Sequence, residues 1–298
     1  MRVTNNMVTG SIVAQLQQLE TQQSTLQTEV SSGLAVTQPS DNPAAFGQVI
    51  QEEGQSAQLA QYNANANQAL NLAQTSYAGL NSLTSIYDRA TQLATDASGT
   101  LGTSANQSYA DELNQLIEQA VSTANSQFNG NYLYAGTAVN TAPFTTTTDS
   151  NGNVTGVTYV GNSTQTTIPL SATSSVAAGT TGTTNAGLAT MINNMIAVRD
   201  AMNSGNSAAL DAGQTNLTND ENTLSDAVAQ NGAVQLRIQS EQTQGQAGAS
   251  EISQLISNQT SADLPSTITK LSQAQLAYQA ALETSSKVMQ LSLVDYIQ

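Results

Sequence analysis

A seven-residue repeat governs the second half of the chain: Leu210, Leu217, Leu224, Asn231, Ile238, Gly245 and Ile252 recur at constant phase. A helix that keeps this repeat returns the same face to a partner at every second turn, so the segment can only be satisfied by packing lengthwise against another helix. Both chain ends carry the related alternation of four and three. Near the start it reads Ile12, Leu16, Leu19, Gln23, Leu26 and Val30; near the end it reads Leu264, Ile268, Leu271, Gln275, Tyr278, Leu282, Ser285 and Met289. A single helix is marginal in water and draws its stability from packing, so the two terminal stripes are expected to pair with each other.

Punctuation residues divide the pattern. Ser31-Ser32-Gly33 closes the first helix, and Pro39 and Pro43 delay the next until about Pro43 or Ala44. That second helix carries Leu59, Tyr62, Leu70, Tyr77, Leu80, Leu83, Tyr87 and Leu93 and should break at Asp96-Ala97-Ser98-Gly99. A third stretch carries Leu113, Leu116, Ile117, Val121 and Phe128. Between Asn129 and about Gly187 the texture turns to Thr and Gly. There Val154-Thr155-Gly156-Val157-Thr158-Tyr159-Val160 alternates as a strand does, and Asn151-Gly152 is a hairpin turn signal. Helical spacing resumes at Leu188, Met191, Ile192, Met195, Ile196 and Met202, and the final helix starts at the cap-like Asp263 with Pro265 in its first turn. The fold class expected is mainly α: long antiparallel helices from both chain ends forming a coiled-coil rod, with a small β-rich domain inserted in the middle.

Composition bears on function. The 298 residues hold 6 basic and 21 acidic side chains, a net charge of −15, which argues against a partner held by phosphate contacts, so no nucleic acid is expected. With no Cys and no His, thiolate nucleophiles, histidine triads and the usual zinc sets are unavailable, and only carboxylate or Ser/Lys chemistry remains. Few aromatics and much Ala suit closely packed helices better than a globular enzyme core. No apolar run approaches a membrane span, and the short Ile12-Val13-Ala14 run is no secretory leader, so neither membrane insertion nor a Sec signal is expected.

Site-like patterns read as structure. Asp149-Ser150-Asn151-Gly152-Asn153 opens like a calcium loop but has Val154 and Val160 where Gly and Glu are needed. Gly99-Thr100-Leu101-Gly102 and Gly179-Thr180-Thr181-Gly182 lack the Gly-Lys-Ser/Thr ending of a phosphate loop. Asp111-Glu112 and Glu52-Glu53 are sequence neighbours, which diverge on a helix. Ser285-Ser286-Lys287 has the wrong spacing for a Ser-x-x-Lys nucleophile. No catalytic, cofactor-binding or metal residues are assigned.

Ser31-Ser32-Gly33-Leu34 with Pro39-Ser40-Asp41-Asn42-Pro43-Ala44-Ala45 resembles the N-terminal signature of the flagellin superfamily of bacterial flagellar axial proteins, in the form of its hook-filament junction branch. Phe128-Asn129-Gly130-Asn131-Tyr132-Leu133-Tyr134-Ala135-Gly136-Thr137, followed by Pro143-Phe144, resembles that branch where the chain leaves its helical domain. Leu276-Ala277-Tyr278-Gln279-Ala280-Ala281-Leu282 and Met289-Gln290-Leu291-Ser292-Leu293-Val294-Asp295-Tyr296-Ile297 resemble the terminal helix of the hook-associated protein 3 (FlgL) family. Two departures stand out: Leu34 where the family commonly has a basic residue, and Asn42 where it has a second Asp.

The resemblance implies a non-enzymatic flagellar subunit at the hook-filament junction, exported unfolded by the type III route, secreted and extracellular, and without a cofactor. Its partners would be copies of itself in a ring, hook-associated protein 1 (FlgK), flagellin, and the export chaperone FlgN before secretion. Residues 1–40 and 263–298 would form the inner tube, 41–129 and 187–262 a helical rod, and 130–186 a β-rich outer insert. Ile12, Leu16, Leu19, Leu26, Val30, Ile268, Leu271, Tyr278, Leu282, Met289 and Leu293 would form the assembly interface, and Pro39, Ser40, Asp41, Pro43, Gly130, Tyr132 and Gly136 the family motif. The alternatives are flagellin itself and a surface carbohydrate-processing protein; Asp149 is the only carboxylate between Asn129 and Gly187, too few for a two-carboxylate site there.

Overall fold

The computed structural model describes residues 5–99 and 103–297. The described residues form six helices and three two-stranded antiparallel sheets. Helices α1 (Asn5–Ser32), α2 (Pro43–Ser98) and α3 (Thr103–Ala124) precede the strands β1 (Gln127–Phe128), β2 (Asn131–Tyr132), β3 (Phe144–Thr148), β4 (Val154–Tyr159), β5 (Thr167–Pro169) and β6 (Ser175–Ala177). Helices α4 (Gly182–Ser204), α5 (Ser207–Thr260) and α6 (Leu264–Ile297) follow. The chain divides into two compact units, one of Met1–Gln58 with Ala249–Gln298 and one of Leu59–Gly248, and α2 and α5 contribute residues to both.

Local chemistry sets most of these boundaries. Gly33 takes φ 73°, and its N–H donates to the Glu29 carbonyl at 2.8 Å, the left-handed close that only glycine adopts cheaply. Pro43 opens α2, where its missing N–H is no loss. Thr181 caps α4 by accepting from the Thr184 N–H at 3.1 Å, and Gly205 ends that helix at φ 65°. The Thr267 N–H donates to the Asp263 carbonyl at 2.8 Å as α6 begins. Phe128 does not extend α3: the helix ends at Ala124, and Phe128 lies in β1, whose tight turn to β2 uses positive φ at both Asn129 (51°) and Gly130 (81°).

In the larger unit the heptad row of α5 is the core seam: Leu210, Leu217, Leu224, Asn231 and Ile238 are buried, and Gly245 lies against the Asn63 side chain of α2. Gln214 donates to the Ala94 carbonyl at 2.7 Å and Gln242 to Asn67 at 2.6 Å, so polar rungs tie α5 to α2 beside the apolar seam. Residues of the strand region are built into the same core. Leu133, Tyr134, Phe144, Val154 and Val157 cluster with Leu80, Tyr87, Leu113, Ile192 and Met195.

The β3–β4 hairpin turns at Asn151-Gly152, where Gly152 has φ 91°. Its two outer edges are closed by side chains. Asn193 of α4 accepts from the Val157 N–H at 2.9 Å and donates to its carbonyl at 2.8 Å, as a neighbouring strand would. Asn125 makes the same fork on Phe144, accepting at 3.0 Å and donating at 2.9 Å. Arg199, buried, donates to the Val154 carbonyl at 2.7 Å and to Asn114 at 2.8 Å, with Asp200 at 2.8 Å balancing its charge.

Candidate assembly surface

The smaller unit positions the terminal stripes. Helix α6 runs back along α1, and the connecting backbone is stitched at their junction: Leu34 forms an antiparallel bridge with Ser261, the Ala35 N–H donates to the Thr260 carbonyl at 2.6 Å, and the Ala262 N–H to the Gly33 carbonyl at 2.9 Å. The Pro39-Ser40-Asp41-Asn42-Pro43 motif supplies the turn into α2. Asp41 accepts from the N–H and hydroxyl of Thr37 at 3.0 and 3.1 Å and from the N–H and side-chain amide of Gln38 at 3.0 and 3.2 Å. The Thr37 N–H is the chief reason its carboxyl sits below the ordinary range, with the Gln38 bonds adding to it. Asn42 accepts from the Ala45 N–H at 3.2 Å, the capping bond an Asp would also make. Leu34 is held by its backbone bridge to Ser261 and by the Ser32 hydroxyl, which accepts from its N–H at 3.1 Å.

On α1 the row Ile12, Leu16, Leu19, Gln23 and Val30 is half-buried and Leu26 is 7% exposed. The answering face of α6 is Thr267, Leu271, Ala274, Tyr278 and Ser285, each buried or half-buried. The apolar arc of α6 is wider than this face. Leu264 (40% exposed), Ile268 (50%) and Leu282 (44%) follow it on one flank and are left in solvent. So Leu271 and Tyr278 turn inward within the unit, whereas Ile268 and Leu282 turn outward. The side chains of Met289 and Leu293 lie outside the described residues. Spacing alone does not separate these two halves of one stripe, because both have the same helical period.

The second motif lies in the larger unit. The Tyr134 hydroxyl is buried and donates to the Ser76 carbonyl at 3.1 Å, and burial pushes its pKa well up. Gly79 makes room for it, since a Cβ there would run into the Tyr134 hydroxyl. Gly136 has φ 66°, and a Cβ would collide with the carbonyl and side chain of Asn162. Gly130 has φ 81° but open space around it. Tyr132 is half-buried at the end of β2. These residues hold a chain reversal against α2 and carry no reactive group.

One carboxylate of each neighbouring pair, and Asp149, has a partner in the structure. Glu112 pairs with Arg89 at 2.6 Å, Glu52 accepts from Gln259 at 2.9 Å, and Asp149 accepts from the N–H groups of Asn151 and Asn153 at 2.8 and 2.9 Å inside its own turn. Thr100 to Gly102 lie outside the described residues.

Helices from both chain ends are thus packed together, with a strand-bearing segment between them in sequence. Residues 3–139 match the sequence model of the bacterial flagellin N-terminal helical region. Among solved structures, the chain shares its fold with a putative flagellar hook-associated protein from Vibrio parahaemolyticus, at TM-score 0.67 and 16% identity over 74% of this chain and 100% of that one. FlgL of Bacillus cereus matches at TM-score 0.60 and 18% identity, covering 70% and 99%. FlgL of Xanthomonas campestris matches at 0.54 and 16%, covering 68% and 98%. A search of curated proteins finds no match.

Proposed function

We propose that the chain is a structural, non-enzymatic subunit of the bacterial flagellum that joins the hook-associated zone to the flagellin filament. The observation that carries this reading is the outward row Leu264, Ile268 and Leu282 on α6, beside an inward face already used by α1, in a fold shared with hook-associated proteins. An exposed apolar row on a terminal helix is where further helices would add to build a tube. In this reading 1–40 and 263–298 supply the tube, 41–129 and 187–262 the helical body, and 130–186 the part turned outward. The partners are copies of the chain in a ring, FlgK on one side, flagellin on the other, and FlgN before type III export. No helix among the described residues is long and apolar enough to cross a membrane.

Deletion of the gene tests the reading. Hooks without filaments, with flagellin accumulating in the medium, are expected; normal filaments would refute it. Flagellin itself is the second reading, supported by the flagellin model that residues 3–139 match. It predicts bare hooks with no secreted flagellin.

A further inference from the structure

The larger unit carries an apolar cleft that the junction reading does not use. Leu72 of α2, Phe128 and Tyr132 of the β1–β2 hairpin, Leu133, Val139 and Ile168 of β5 line a volume of about 300 Å³. Among the described residues, no charged side chain and no residue of α5 lines it. The same unit also carries a knob. Leu236 of α5 is 68% exposed, the most exposed large apolar side chain among the described residues. It stands about 140° round the helix from buried Asn231, so it points away from the α2 seam. Ala229, Ala233, Ser240 and Thr243 surround it on that face, all uncharged.

Knob and cleft lie at one height. Next to Leu236, Ile238 packs with Ala66, Ala69 and Ala73 of α2 and with Leu170 and Val176 beside the β5–β6 sheet. The cleft takes its walls from the same turns of α2, Gln68 and Leu72, and from β5. Net charge −15 opposes the approach of a second copy, least so where neither surface presents a carboxylate; of the described carboxylates none lines the cleft, and none is among the neighbours of Leu236 on its face. Contacts that join two different patches pass from copy to copy and build closed rings or helical arrays rather than isolated pairs.

We infer that Leu236 of one copy seats in the Leu72–Tyr132–Ile168 cleft of the next copy, a lateral head-to-tail contact between neighbouring subunits. The inference rests on the junction reading and names the neighbour's site for it. The chain has no cysteine, so crosslinking starts from a silent background. Leu236→Cys and Val139→Cys are combined in one full-length protein, expressed in a deletion strain, and purified flagella are oxidised. A ladder extending beyond dimers in the double variant, absent from both single variants, is the expected result. Dimers from Leu236→Cys alone would mean that α5 meets its own copy symmetrically and would overturn the inference, as would a crosslink to a different flagellar protein. Subunits labelled at the hook-filament boundary that give no ladder overturn the inference and leave the junction reading standing. Absence of the protein from flagella overturns both. Leu236→Glu, an exposed position, serves as a second variant: its melting curve should match wild type while filaments per cell fall.

Discussion

Leu282→Asp separates folding from assembly. In the free chain Leu282 is 44% exposed, so slightly more than half of its burial is already made there and the substitution should cost the monomer only about 1 kcal/mol. In the assembled subunit that residual exposure would be removed. Full burial of a leucine is worth about 2 kcal/mol, so the lost hydrophobic share is roughly 1 kcal/mol per subunit. The carboxylate weighs more heavily, because in a packed apolar seam without a cation it is disfavoured by several kcal/mol. A combined loss of about 4 kcal/mol lowers association roughly a thousandfold, and a ring repeats it in every member. The expected outcome is secreted protein with wild-type helix content and a melting point lowered by only a few degrees, but empty hook ends and lost motility. Leu26→Ala, at a buried position on α1, should show the reverse order by destabilising the isolated unit by about 2 kcal/mol or more. Glu283→Ala, one residue along from Leu282 and exposed, should leave both readouts unchanged. Leu282→Asp protein that assembles and swims like wild type would refute the reasoning.

Further outcomes concern buried and strained positions elsewhere in the chain. Arg199→Leu strips donors from buried Asn114 and from the Val154 carbonyl and should cost about 3 kcal/mol in denaturant melts. Gly136→Ala, with positive φ and a collision at Asn162, should cost clearly more than Gly130→Ala, which meets only the backbone preference of about 1 kcal/mol. Burial without a cation raises the pKa of Asp220 above its ordinary 3.8, with the Asn194 bond only partly opposing it. The native state therefore takes up a proton before the unfolded chain does, and this group's contribution to stability rises as pH falls from the raised value towards 3.8. Asp41 and Asp149, held low by hydrogen bonds, act in the opposite direction, and their contribution is lost as pH falls below 3.8. Thermal melts of wild type and Asp220→Asn across that window should differ in slope, with the variant more stable at pH 7.

Much of the helical plan is legible because periodicity and caps are local. The starts at Pro43 and Asp263, the Gly33 stop, the α5 heptads and the Asn151-Gly152 turn all follow from a few adjacent residues. The end of α3 is not, since Phe128 continues an apolar spacing that the positive-φ pair Asn129-Gly130 overrides. Nor is the integration of the strand region into the helical core. Asn125, Asn193 and Arg199 close strand edges 19 to 45 residues away, and nothing in the spacing of a polar residue on a helix announces its partner. Removing 130–186 should accordingly expose the faces of α2, α3 and α4 that pack on Tyr134, Phe144, Val154 and Val157 and unfold the larger unit. The division of the α6 stripe into an inward and an outward half is illegible for a related reason: which part of an apolar arc a chain covers for itself depends on where α1 lies, which is tertiary information.

The central claim is that the chain sits at the hook-filament boundary. An epitope placed in the exposed Asn151-Gly152 turn, which belongs to neither α6 nor the α5 knob, allows the protein to be imaged on isolated flagella by gold labelling. The account predicts one band confined to the hook-filament boundary. Gold along the whole filament, or none on the flagellum, would contradict it.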